Sequence, residues 1–545
     1  MSYKKNRVLA LVAAAQAAML VVAIGGVTVA TAQVTSGRPA GTSAATLPNL
    51  GDGTDMIPSA ERRLGDRIAR ELYRDPDYVD DAILTEYVQS IWQPLLAAAR
   101  QRGEITPEQD ETYAWEVILG RDRTVNAFAL PGAYMGLHLG LIAVVTSRDE
   151  LASVLAHELS HVTQRHIARM MTRQSQQAPW LLGAMILGIL AAGKSPDAAN
   201  AMIVGGQAVG AQSQLNFSRD MEREADRVGF GVATQAGFAP QGFVSMFAKL
   251  QQASRLNDSG NFPYLRSHPL STERMSDMQS RIAPTGVVPV TQPGVRQNVQ
   301  EADQAMMSAR AGVLSNPTVD ALRTWSLQAE PTLLSKTTAA QQAATLYGAT
   351  LAAIKLRDHS AAQGFWLRLT EVTRNDTAAA RLARLLGVEL ALAMDDTARA
   401  SRLLSQGSAA TGIPTSRAEL FLAAQTRLKA ATSATGAPPD SLPVRDLLAV
   451  SQTLQTWVAE HPKDAQAWQL LASIYAAQGR TLSSIRAQAE INVAQLDYPA
   501  ALARFKTAQD WVRKQGTAVD HFEASIIDTR TRQVEQLVRE QALER

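Results

Sequence analysis

Not one of the 545 residues is cysteine. That excludes disulfides, thiolate metal sites, a cysteine nucleophile and lipid attachment through an N-terminal cysteine. It fixes no compartment, although it is harmless in an oxidising one. Aromatic residues are scarce at 5%, and neither sign of charge dominates: 53 Lys and Arg against 51 Asp and Glu leave +2. No basic stretch is interleaved with aromatics, which argues against a nucleic-acid partner. Beyond the N-terminus no apolar run is long enough to span a bilayer. What is present is ample core material, 46% hydrophobic residues over a length that predicts two or three domains.

The N-terminus departs from this average. Lys4, Lys5 and Arg7 precede an apolar run over residues 8–30, which ends in Ala30-Thr31-Ala32. Small residues flanking one position are what signal peptidase accepts, so 1–32 reads as a signal peptide. The alternative is a retained anchor, because a run of about 23 apolar residues also spans a bilayer. Either way the bulk of the chain faces outward. Residues 33–58 are rich in Gly, Thr, Ser and Pro and read as a flexible lead-in.

Residues 59–283 mix helix and strand. Helices are predicted at 60–75 and 79–101, and a strand at 113–119 running into Gly120-Arg121-Asp122. Further short strands are predicted around Asn126–Ala129 and through the Gly-studded 132–145. Ser147 and Glu150 fit a capping box ahead of an apolar helix. Residues 284–299 contain Pro284, Gly286, Pro289, Pro293 and Gly294 and read as a linker. From 300 to 545 the chain is helical, with breaks at 407–416 and 431–443. Trp468, Leu471 and Tyr475 have the first-helix spacing of a tetratricopeptide repeat; Ala361 with Phe365, and Ala501 with Phe505 and Ala508, have that of its second helix. The fragments share no single 34-residue register, so a helical array competes with an ordinary bundle. The fold class is therefore α+β, mostly helical, with a small sheet in the first half and an all-α second half.

The chemistry concentrates in His157-Glu158-Leu159-Ser160-His161, within the helix that starts near Ser147. Residues four apart share a helix face, so both imidazoles reach one ion. Zinc suits imidazole nitrogen, and three protein ligands leave a fourth position for water; cobalt or manganese would also accept such ligands. Glu158 follows the first ligand directly and is placed as general base for attack on a peptide carbonyl. The competing reading is two surface histidines. Against it stand the helix cap, the apolar Leu151, Val154 and Leu155, and a downstream source of a third ligand. That source is the segment 216–226, where Glu222 and Asp226 share a face and Glu224 points away. One of the pair ligates metal while the other orients a ligating imidazole; helical geometry alone does not say which.

His-Glu-x-x-His followed by Ser-Arg-x-x-Glu-x-x-Ala-Asp resembles the gluzincin peptidases related to HtpX and the CaaX prenyl protease. That resemblance implies a zincin-like domain, with Glu222 as third zinc ligand and Asp226 as its supporting residue. Asn126-Ala127-Phe128-Ala129-Leu130-Pro131-Gly132, the metal helix, Ser267-His268-Pro269 and a helical tail resemble the BepA/YfgC-like exported proteases with tetratricopeptide repeats. The catalytic resemblance covers roughly 60–285; over the tail it rests on helical character and weak repeat fragments. It implies a periplasmic zinc endopeptidase holding one zinc per chain. Its clients would be unfolded or stalled outer-membrane barrel proteins, and its partner the barrel assembly machinery.

Other features carry two readings each. His166 reads as structural or surface, because it is turned off the metal-facing side, and His138 as a packed histidine in preference to one lining the cleft. His268 lies in a loop-like Arg-Ser-His-Pro. It either stabilises the oxyanion or plugs the open metal position reversibly, or else it simply packs the end of the domain. The apolar run 180–192 is either a buried core helix or a mobile, partly exposed lid that gates the cleft or touches a membrane surface, with Gly205, Gly206 and Gly210 as a hinge. A function from another class is a chaperone or adaptor docked on the assembly machinery, its protease normally silenced. A membrane-embedded prenyl-protein protease is disfavoured by the missing spans.

Overall fold

Helices surround one small sheet in a computed structural model that describes residues 56–174, 219–256, 262–282, 301–407, 416–433, 442–515 and 520–543. The expected signal peptide (1–32), most of the lead-in (33–58), the apolar run 180–192 with its following glycines, and the linker (284–299) lie outside these residues. So does most of the two breaks in the tail.

Helix α1 (Pro58–Arg74) opens with proline, whose missing N–H costs nothing in the first turn. Strand β1 (Tyr78–Val79) then pairs with β2 (Glu116–Gly120), so the helix expected from 79 starts later, as α2 (Ala82–Gln101). Its start is fixed by Asp81, whose carboxylate accepts from Leu84 N at 2.9 Å. Helix α3 (Pro107–Thr112) carries a complete Thr106–Gln109 capping box. Strands β3 (Ala127–Leu130) and β4 (Tyr134–His138) complete the sheet, in the order β1-β2-β4-β3. The β2–β4 pair is parallel, with Glu116 opposite Tyr134; the other two pairs are antiparallel. Strand β3 is therefore an edge.

Beyond β4 the sequence reading needs correction. Residues Leu139–Val144 form a helix, α4, and not a further strand. Leu139, Leu141 and Ile142 are all buried, and so short an apolar run has no period that separates the two states. Helix α5 (Arg148–Thr163) starts at Ser147, whose hydroxyl accepts from Glu150 N at 3.2 Å. Only half the expected box forms, because the Glu150 carboxylate turns to Thr146 N (2.6 Å) and Lys249 Nζ (2.7 Å). Then come α6 (His166–Gln174), α7 (Arg219–Gln235), α8 (Gln241–Leu256), α9 (Tyr264–Ser267) and α10 (Thr272–Arg281). From Asp149 to Thr163 every residue of α5 is buried, sandwiched by α7, α8, α2 and β3. Truncating a fully enclosed leucine such as Leu155 there would remove about 2–5 kcal/mol.

The second half runs α11 (Ala302–Ser315), α12 (Val319–Gln328), α13 (Pro331–Leu334), α14 (Ala339–Lys355), α15 (His359–Thr373), α16 (Thr377–Ala393) and α17 (Thr397–Gly407). It continues through α18 (Arg417–Ser433), α19 (Leu442–Glu460), α20 (Ala465–Ala477), α21 (Thr481–Ala494), α22 (Tyr498–Gln515) and α23 (His521–Leu543). Helices α11 and α12 pack on α14, successive members pack on one another from α14 onward, and Trp468, Tyr475, Ala501, Phe505 and Ala508 are buried. One apolar core runs without interruption from Leu84, Leu155 and Val232 of the first half to Met306, Leu385 and Leu422 of the second. Polar clamps border it. Arg310 on α11 binds Asp81 (Nη2–Oδ2 2.7 Å) and Glu389 on α16 (2.7 Å), and Arg417 binds Asp80 (2.9 Å) and Asp464 (2.8 Å). Among the described residues no helix is long and apolar enough to cross a membrane.

Candidate metal centre

Helix α7 crosses α5 closely enough that a Cβ on Gly229 would lie 3.0 Å from the Ala156 carbonyl oxygen. This contact brings Glu222, nearly two turns earlier on α7, opposite the two histidines of α5. His157 Nε2 and His161 Nε2 are 3.0 Å apart. Glu222 Oε2 lies 3.4 Å from the first, and its Oε1 lies 3.4 Å from the second. His268, just past α9, adds Nδ1 at 3.4 Å from His157 Nε2 and 3.0 Å from Glu222 Oε1. All four side chains are buried, and their donor atoms lie within 4.8 Å of one another. An ion bound tetrahedrally at 2.0–2.1 Å has ligand–ligand edges of about 3.3–3.4 Å. The donor set, three imidazole nitrogens and a carboxylate at nearly this spacing, fits a divalent ion such as zinc.

The neighbours set the two acids apart. Glu222 faces the Nε2 atoms, whereas Asp226 Oδ1 lies 2.9 Å from His157 Nδ1, on the opposite side of that ring. Asp226 is clasped by Arg274 (Nε–Oδ2 2.7 Å, Nη2–Oδ1 2.8 Å), and Arg274 Nη1 also reaches Glu222 Oε2 at 2.7 Å. Glu158 sits beside the cluster and not in it. Its Oε2 accepts from Ala129 N of the edge strand β3 at 3.0 Å, and its Oε1 is 3.3 Å from His268 Nε2. His268 stacks on Tyr264, with ring centroids 4.6 Å apart.

Electrostatics follow from this packing. Burial opposes charge on His157, yet hydrogen bonds and proximity to Asp226 and Glu222 outweigh it and lift its pKa to about 10. Burial likewise opposes ionisation of Glu222, but His268 and His157 hold its pKa well below the ordinary carboxylate value. The field that favours a proton on His157 also favours a divalent cation at the same nitrogens. Glu158 moves the other way: burial raises its pKa, only partly offset by His268 and His157. A buried carboxyl with raised basicity suits proton transfer.

With this geometry established, comparison with known proteins is informative. Residues 83–282 match the sequence profile of peptidase family M48. These residues are similar to an M48 peptidase domain. Over 241 residues the chain is 34% identical to the beta-barrel assembly-enhancing protease of Escherichia coli K12, covering 44% of this chain and 47% of that one. Its counterpart in Yersinia pestis is 34% identical over 237 residues, 43% of this chain and 47% of that one. The mitochondrial metalloendopeptidase OMA1 of Saccharomyces cerevisiae is 26% identical over 196 residues, 35% and 54% of the two chains. The chain spans about half the length of the bacterial relatives it matches.

Within this matched region the structure gathers His157, Glu158, His161, Glu222, Asp226 and His268 into one buried site, and places His138 elsewhere, its Nδ1 2.9 Å from the Thr124 hydroxyl. Sequence reasoning missed Arg274, Tyr264 and the Ala129 N–H. A lone arginine in a short helix carries no motif; its one signal is its position, six residues beyond His268. The Ala129 contact belongs to the backbone, which no residue pattern announces.

Proposed function

We propose that this chain is a zinc metalloendopeptidase, with His157, His161 and Glu222 as ligands and Glu158 as general base. The observation that carries it is the buried cluster of three imidazoles and one carboxylate, their donor atoms within 4.8 Å of one another, beside a buried glutamate and an edge strand. A bound zinc ion would polarise the scissile carbonyl and acidify water. Asp226, held by Arg274, fixes the His157 ring so that Nε2 keeps its lone pair for the metal. Glu158 takes a proton and returns it to the leaving amine. Strand β3 offers an edge against which an extended client would lie, through main-chain hydrogen bonds that tolerate varied sequence. Folded proteins rarely expose a free strand, so this mode selects unfolded or stalled chains.

The relatives named for barrel assembly support a setting in outer-membrane protein quality control. We read the N-terminal 32 residues as an export signal to the periplasm, and α11–α23 as a tetratricopeptide-like array docking the barrel assembly machinery or the client. Zinc analysis of the purified protein tests the centre. About one zinc per chain is expected, lost in His157→Ala and in Glu222→Ala; a zinc-free wild type after metal supply would overturn the reading.

His268 favours a second reading, that of a docked chaperone or adaptor whose protease is normally silenced. Its Nδ1 lies 3.4 Å from His157 Nε2 and 3.0 Å from Glu222 Oε1, where it would close the position a substrate needs. His268→Ala is expected to raise basal cleavage of an unfolded protein severalfold while zinc stays bound. Unchanged cleavage and an unchanged metal-site spectrum would show that His268 is no plug.

A further inference from the structure

We propose that His166 and Glu224 form a relay that orients His161 from behind, making both positioning residues for the metal. This rests on the reading of His157, His161 and Glu222 as metal ligands. In a regular helix His166, five residues on, would be carried round the axis away from His161. Arg165 has a left-handed backbone (φ 54°) that separates α5 from α6 and folds His166 back against it. The two rings lie 4.9 Å apart at 74°, with their Nδ1 atoms at 2.9 Å. On its far side His166 Nε2 is 3.1 Å from Glu224 Oε2, and Arg169 Nη1 holds that same oxygen at 2.9 Å.

Hydrogen bookkeeping along this line has one solution compatible with a metal. A ligating His161 Nε2 must present a lone pair, so its hydrogen sits on Nδ1. A 2.9 Å contact between two ring nitrogens needs one hydrogen, so His161 Nδ1 donates and His166 Nδ1 accepts. His166 then carries its own hydrogen on Nε2, where the Glu224 carboxylate accepts it. The opposite assignment would put the His161 hydrogen on Nε2, against the other donor atoms. Both imidazoles are fully buried, so water does not compensate a mismatched pair. The two metal histidines are thus held differently: His157 directly by the carboxylate of Asp226, and His161 through a second imidazole to a carboxylate at the surface.

The test is zinc affinity of the full chain, by competition with a chromophoric chelator, in wild type, His166→Phe and His166→Asn. Phenylalanine fills the space but accepts nothing, whereas the asparagine Oδ1 stands where Nδ1 stood. Loss of a group that orients a ligand lowers metal affinity by about 10–100-fold, which is the fall expected for His166→Phe, with most of it recovered in His166→Asn. Unchanged affinity in His166→Phe, or equal loss in both variants, would overturn the relay while wild-type binding left the metal centre standing. A wild type that bound no zinc would overturn both. Should His166→Phe fail to fold, Glu224→Ala at the partly exposed end serves. The ¹⁵N spectrum of histidine-labelled, metal-free protein is then expected to lose the pure Nδ1–H form of His161; an unchanged spectrum would sink the proposal.

Discussion

Glu158→Gln is expected to keep one zinc per chain and to lose cleavage of unfolded protein by about 10²–10⁴-fold, the usual contribution of a positioned acid–base group. The two effects separate because Glu158 is not among the donor atoms. Its carboxylate bonds the Ala129 N–H and lies beside His268. Glutamine retains the shape and an oxygen for Ala129, so the edge strand and the metal side chains keep their places. What disappears is a proton acceptor whose basicity burial has raised. Metal analysis alongside a cleavage assay reads both halves. Wild-type cleavage by the variant would remove Glu158 from the chemistry. If the variant also replaced the wild-type gene without consequence in cells, proteolysis would be incidental and the docked-adaptor reading would gain.

Arg310→Met is expected to destabilise the fold by about 3–5 kcal/mol, because removing one member of a buried ion pair strands the others. Arg310 is enclosed, its guanidinium shared between Asp81 and Glu389 with Tyr347 Oη at 3.0 Å. Burial opposes its charge, yet the two carboxylates raise its pKa further above the ordinary value. For Asp81 burial also opposes charge, and Arg310 outweighs it, so the folded pKa lies below the unfolded one. A depressed carboxyl stabilises the fold at pH above its unfolded value near 4, and that contribution vanishes as pH falls through the folded value. Denaturant unfolding should therefore show the difference between wild type and Arg310→Met shrinking below pH 4. A difference independent of pH would mean that the clamp contributes only packing.

Much of the site was legible in sequence because its spacing is helical. His157 and His161 one turn apart, and Glu222 and Asp226 one turn apart, each declare a shared face. Which acid meets metal depends on how α7 crosses α5, and no local pattern encodes a crossing. His268 could be singled out by its Ser-His-Pro context, but its distance from Glu222 is set by loops that carry no period. His166 looked idle because the regular helix was assumed to continue, and the left-handed Arg165 ends it. The sheet shows the same limit: strands were found near their places, while the order β1-β2-β4-β3 and the helical turn at 139–144 depend on burial from several sides.

The unbroken apolar core has a consequence for how the molecule divides. A swing of the helical half about the 284–299 segment would pull Met306, Leu385 and Leu422 away from Leu84 and Leu155 and wet a dry seam. Relative movement of the two halves is therefore confined to small repackings along that seam and does not extend to the opening of a jaw. A gene cut at that segment should yield two sticky fragments, each clumping alone, which pair again when made in the same cell.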